Sequence, residues 1–176
     1  MLWRVPRIFN CGMEEKPKIL IAADHAGFAL KTDLVPSIVA LGYEVEDIGA
    51  FTFDQTDDYP DYVLPLAKRV ATTRGVVGVI VGGSGQGEAM AANRFEGARA
   101  AVFYGQHRVV AALEIEGGAS EDGFDIVRLA RRHNDANVLS IGARFVAHDE
   151  AVEAIRIFLA TPFTGPERHA RRLAKF

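Results

Sequence analysis

Residues 79–88 read Val-Ile-Val-Gly-Gly-Ser-Gly-Gln-Gly-Glu, and this stretch concentrates the residue types that could do chemistry. A β-branched run reads as a buried strand, and the four glycines at 82, 83, 85 and 87 let the backbone turn sharply with its N–H groups bare. Residues 88–93, Glu-Ala-Met-Ala-Ala-Asn, then favour a helix. A strand, a glycine turn and a helix start together can hold an anion. Such a turn can also be a plain connection. This one carries the ionisable Glu88 and the hydroxyl of Ser84, so a proton carrier sits beside the anion site.

The elements that must position these groups alternate along the chain. Residues 18–23 form a buried-strand pattern and end in Asp24-His25-Ala26-Gly27. Leu30, Leu34, Ile38 and Leu41 follow at helical spacing, with a stop at Gly42 and a kink or restart expected at Pro36. Residues 43–48 alternate like a second strand. The acidic loop 57–62 feeds a helix that starts near Pro60 and buries Val63, Leu66, Ala67 and Val70. Residues 76–81 are the third strand and 98–103 the fourth. Val109, Val110, Leu113 and Ile115 suggest a helix, glycines at 117, 118 and 123 break it, and Ile126, Val127, Leu129 and Ala130 suggest another that leads to His133. Residues 138–141 make the fifth strand, ending at Gly142-Ala143-Arg144. Val152, Ile155, Phe158 and Leu159 form a last amphipathic helix, capped by Asp149 and stopped at Thr161-Pro162.

Strands alternating with helices imply an α/β fold: a three-layer αβα sandwich around a Rossmann-like five-stranded parallel sheet. Polar residues then gather at the carboxyl ends of strands one, three and five, where open parallel sheets bind ligands. At 176 residues the chain suits one domain, residues 17–176, preceded by a loose extension over 1–16 that makes Met13 an alternative start. A net charge of −3 gives no general attraction to nucleic acid or membrane. The single cysteine, Cys11, cannot form an internal disulfide or a multi-thiolate site, which fits a reducing, cytoplasmic setting.

Asp24-His25-Ala26-Gly27, 58–62 (Asp-Tyr-Pro-Asp-Tyr), 82–88, 91–94 (Ala-Ala-Asn-Arg), 132–135 (Arg-His-Asn-Asp), 142–144 (Gly-Ala-Arg) and 168–172 (Arg-His-Ala-Arg-Arg) stand in a specific order. This set resembles the ribose-5-phosphate isomerase B family, which includes galactose-6-phosphate isomerase subunits and allose-6-phosphate isomerases. The resemblance covers about residues 18–172. It implies a metal-independent aldose-ketose isomerase, without cofactor, that interconverts ribose 5-phosphate and ribulose 5-phosphate through a cis-enediolate.

Such chemistry needs a base, an anion hole and a means of ring opening. Glu88 is the expected base, Ser84 holds a sugar oxygen, and the turn from Gly83 through Gly85 and Gln86 to Gly87 offers amides to the enediolate. One branch of the family uses a cysteine at the end of the third strand. This chain has Gly82 there, so it resembles the glutamate branch. The resemblance gives His133 the ring-opening acid/base role, makes Asn134 a substrate-binding amide, and directs Asp24 at sugar hydroxyls. Arg144, with Arg168 and Arg172 four apart on one helical face, forms with His25 an expected phosphate clamp. His107 and His148 match nothing and read as solvated, as do Arg171 and Lys175. His169 is left without a role.

Family members pair into dimers or tetramers with shared sites, so the resemblance implies that His133, Asn134 and Arg144 serve a site whose Glu88 belongs to the partner. Two departures stand out: an insertion around 107–125, and an end at Phe176 that predicts a short final helix. Two rival readings are an isomerase of a hexose 6-phosphate of the allose or galactose type, and a non-catalytic sugar-phosphate sensor. A nicotinamide enzyme fits poorly, because the glycines follow the third strand and not the first.

Overall fold

The computed structural model describes residues 16–113 and 122–175. The expected extension, except for Lys16, and residues 114–121 of the expected insertion lie outside them.

Five parallel strands, β1 (Lys18–Ala23), β2 (Val45–Gly49), β3 (Val76–Gly82), β4 (Ala100–Phe103) and β5 (Val138–Gly142), form one sheet in the order β2-β1-β3-β5-β4. The α/β reading therefore holds, with the Rossmann-like arrangement. Alternation along β1 decides which helix each side chain meets. Ile19, Ile21 and Ala23 face α1 (Phe28–Ala40), α4 (Asp125–Asn134) and α5 (His148–Ala160), while Leu20 and Ala22 face α2 (Pro60–Thr72) and α3 (Gln86–Ala92). All five of these β1 residues are buried, as a central strand covered on both faces requires. The sixth helix, α6 (Glu167–Leu173), is short, as expected, and packs against α4.

The chain leaves β1 toward β2 on one side, returns to β3, and on the other side goes out to β4 before β5 fills the place between β3 and β4. The crevice between the carboxyl ends of β1 and β3 is thus the topological switch point, the place where such sheets bind ligands. The turn 82–88 opens directly onto it.

Three expectations need correction. Pro36 does not restart α1; it sits on the exposed face of one continuous helix, where water can serve the carbonyl that loses its amide partner. Asp149 does not cap α5. The cap position is Ala147, with no side-chain hydrogen bond, and Asp149 lies in the first turn, where it meets the positive end of the helix dipole. The helix expected over 109–115 is not found across 109–113, where Val110 is 95% exposed and offers no apolar face to bury.

Candidate active site

Glu88 is the third residue of α3, and its carboxylate is buried at the mouth of the switch point. The local path is set by Gly85, which caps α3 with φ +76° in the left-handed region. Two backbone bonds from the loop after β5 pin the turn: Ala143 N–H donates to Gly82 O at 2.8 Å and Arg144 N–H to Gly83 O at 3.2 Å. The Ser140 hydroxyl adds a third, donating to Gly85 O at 2.7 Å. These bonds lay the Arg144 guanidinium over Gly83, close enough that a Cβ there would meet it at 3.1 Å. Arg144 therefore belongs with Glu88 of its own chain, and not, as the resemblance grouped it, with His133.

Burial pushes the Glu88 carboxyl above its ordinary pKa, and the charge of Asp24 pushes the same way. Backbone N–H groups of Glu88 and Gly83 and the Arg144 guanidinium pull it back in part. The Gly83 amide is thus engaged with Glu88, and the Gln86 amide donates to Ser84 Oγ at 3.3 Å. Asp24 is buried beside them, its Oδ1 accepting from Gly27 N–H at 3.1 Å. His25 is half-buried at the same rim.

His133 and Asn134 stand elsewhere. They end α4, immediately before β5 begins, so they lie at the amino edge of the sheet. Arg99, just ahead of β4, donates from Nε to Asn134 O at 3.0 Å and marks that edge. Strands of this length separate the two edges by roughly 15 Å. The His133 ring stacks on His169 of α6, with centroids 4.3 Å apart and planes 13° apart. Arg168 Nε lies 3.1 Å from His169 Nε2, and His133, Arg168, His169, Pro162 and Pro166 line an open groove of about 800 Å³. Arg172 is exposed one turn further along α6. The phosphate clamp expected from the sequence does not form within one chain, because His25 and Arg144 occupy the carboxyl edge while α6 packs at the amino edge.

Two residues were missed. The Tyr59 hydroxyl lies against Gly87, where a Cβ would meet it at 2.9 Å; its place in the Asp-Tyr-Pro motif was the available signal. His169 was left without a role, and only the packing of α6 on α4 reveals its ring contact. His148, read as solvated, keeps a side chain that is 40% exposed and also links α5 to α1, with Ser37 Oγ 3.0 Å from Nε2, while Asp149 Oδ1 lies 2.9 Å from Nδ1. His107 is exposed, as expected, with Gly105 O 2.6 Å from Nδ1.

Among the described residues, Asp24, His25 and Asp57 are the one group whose ligand-type atoms lie within 4.8 Å of one another. His25 Nδ1 and Asp57 Oδ1 are 2.7 Å apart and share a hydrogen bond, so Nδ1 donates its proton to the carboxylate and offers no lone pair to an ion. No described helix is long and apolar enough to cross a membrane.

The model of the Ribose/Galactose Isomerase family matches residues 19–117 and 120–176. The ribose-5-phosphate isomerase B of Mycobacterium leprae is 33% identical over 156 residues, 89% of this chain and 85% of that protein. Among solved structures, the enzyme of the same name from Mycoplasma genitalium, with bound ribulose-5-phosphate, aligns with TM-score 0.76 and 33% identity over 90% of this chain and 92% of that one. The Thermotoga maritima protein aligns with TM-score 0.76 and 35% identity over 92% and 97%. A strand, glycine turn and buried glutamate at the switch point, inside a fold and sequence shared this widely, mean that the chain belongs to the ribose/galactose isomerase family.

Proposed function

We propose that this chain is an aldose-ketose isomerase that interconverts ribose 5-phosphate and ribulose 5-phosphate, with Glu88 as the base. The observation that carries this reading is the Glu88 carboxylate itself, buried at the switch point, held above its ordinary pKa and facing Arg144. A base poised in this way can take the C2 proton of the open aldose and deliver it to C1 of the enediolate, so one carboxylate serves both transfers. The family and the ribulose-5-phosphate in the Mycoplasma genitalium structure support the substrate class. Ser84, Asp24 and the amides of Gly85 and Gly87 hold sugar oxygens in this reading. No step calls for a metal.

The separation of the site residues supports a site built from two copies. His133 protonates the ring oxygen to open the sugar, and Asn134, Arg168 and Arg172 bind it, all from the partner's amino edge. Arg144 and His25 meet them from the Glu88 side. A homodimer is the smallest assembly that brings the sets together. A cytoplasmic location, suggested by the lone Cys11, belongs to the same proposal.

The test is a coupled assay of metal-free protein across pentose 5-phosphates and hexose 6-phosphates, comparing kcat/KM. Turnover of ribose 5-phosphate above all hexose phosphates is expected. Preference for a hexose phosphate would replace the substrate, and binding without any turnover would replace the enzyme by a sensor.

A further inference from the structure

The segment between β2 and α2 meets the site at two points, where Asp57 contacts His25 and where the Tyr59 hydroxyl lies against Gly87. At its root, Ala50 N–H donates to Ala23 O at 2.7 Å, and Lys31 Nζ donates to Ala50 O at 2.6 Å and to both oxygens of Asp47 at 2.8 and 2.6 Å. Lys31 is only 1% exposed, so a buried cation fixes where this segment departs. Near its tip, Asp54 Oδ1 accepts from the amide and hydroxyl of Thr56 at 2.9 and 2.7 Å, and Asp57 N–H returns to Asp54 O at 3.2 Å. This folded tip delivers the Asp57 side chain, 5% exposed, onto His25.

The contact is double. Asp57 Oδ1 accepts the backbone N–H of His25 at 3.0 Å and faces ring Nδ1 at 2.7 Å. A carboxylate can only accept, so the ring nitrogen beside it must be the donor, and Nε2 is left on the far side of the imidazole.

We propose that Asp57 is a positioning residue for the anion site: its carboxylate accepts Nδ1–H of the His25 imidazolium, so that the same ring presents Nε2–H to the phosphate of the substrate. The proposal rests on the isomerase reading for the identity of that phosphate. It gives a role to an acidic residue that would otherwise repel an anionic ligand, because Asp57 acts through the ring and not on the substrate. The charged groups facing His25 are Asp24 beside it in sequence and Asp57 and Asp54 on the opposing loop, while Tyr62 of α2 bears on Asp57. All three carboxylates favour the imidazolium. The hydrogen bond to Asp57 is the largest cause of the raised His25 pKa, with burial opposing it.

Two measurements test this. Nitrogen-15 NMR of the full chain reads the tautomer and titration of His25 without requiring turnover. Neutral His25 is expected as the Nδ1–H form, with a midpoint above the ordinary histidine value that drops in Asp57→Asn. Inorganic phosphate is the second probe: Asp57→Asn should bind it about tenfold more weakly than wild type at pH 8, the scale of one charge-assisted hydrogen bond, and nearly as well at pH 6. If turnover is present, KM should follow the phosphate affinity while kcat stays close to wild type. A neutral Nε2–H tautomer in the wild type would overturn the proposal even if Asp57→Asn failed to fold. A folded Asp57→Asn with unchanged His25 titration and pH-independent phosphate loss would also overturn it. Absence of isomerase activity with the expected NMR result would instead count against the isomerase reading alone.

Discussion

Gly82 and Glu88 occupy one space: a Cβ atom built on Gly82 would overlap the Glu88 carboxylate. The end of β3 is therefore bare because the glutamate six residues on fills the volume a side chain would take. A cysteine at the strand end and a glutamate in this pose exclude each other.

Gly82→Ala is accordingly expected to drive Glu88 out of its pose while leaving the fold standing. Turnover should fall by about 10²–10⁴, the range for losing a positioned acid/base group, and match the loss in Glu88→Gln. Steady-state kinetics on both variants, with thermal unfolding as the folding check, decide this; near-normal kcat in Gly82→Ala would mean that Glu88 is not the base.

The pH dependence follows from the direction of the Glu88 shift. Its folded pKa is raised, so the folded state binds more protons than the unfolded one just above the ordinary glutamate value of about 4.3. Stability present below that value is lost as pH rises through the folded pKa. Glu88→Gln, which never ionises, should therefore gain Tm relative to wild type as pH is raised from about 4 to 8. The acid limb of kcat/KM should lie above the ordinary carboxylate range. A widening deficit of Glu88→Gln toward alkaline pH would contradict the raised pKa.

Shared sites predict complementation. Glu88→Gln and His133→Ala are each expected to be inactive, yet co-expressed they form mixed dimers in which one site carries both lesions and the other carries none. Statistical pairing then restores roughly a quarter of wild-type activity. Activity of the co-expressed pair no greater than that of the separate variants would rule out a site assembled across subunits.

The amino edge is held by buried charge. Asp135, at φ +44°, accepts from Arg131 Nη1 at 2.9 Å and from Arg99 Nη2 at 2.7 Å, and Arg99 Nε also reaches the carbonyls that end α4. Asp135→Ala removes a carboxylate shared by two guanidinium groups and should cost about 3–5 kcal/mol in denaturant unfolding. Arg171→Ala, on an exposed position, should change stability by less than about 0.5 kcal/mol. Equal effects would show that the network carries no stability.

The chain itself announced its strands, because buried runs such as 18–23 and 76–81 have no other stable reading between helical periods. It put Glu88 and the arginines forward as site residues, because residue type and order carry the resemblance. What it did not announce depends on contacts distant in sequence. The helix expected over 109–115 looked amphipathic, but Val110, Ala111 and Ala112 are exposed and bury no continuous apolar face. The cap of α5, the bridging role of His148 and the stack of His133 on His169 all depend on which elements come to lie side by side.

The division of labour is clearest at the site. Local sequence determined that β3 ends in a glycine turn with a glutamate behind it, since glycine's freedom and the helix start act within a few residues. Only the tertiary structure decided which groups share an edge. Parallel strands point one way, so every residue after a strand reaches the carboxyl edge and every residue before one is left at the other. Glu88 and Arg144 follow strands; His133 precedes one. That direction, fixed by the sheet and not by any motif, keeps the proposed base and the proposed ring-opening acid apart within a single chain.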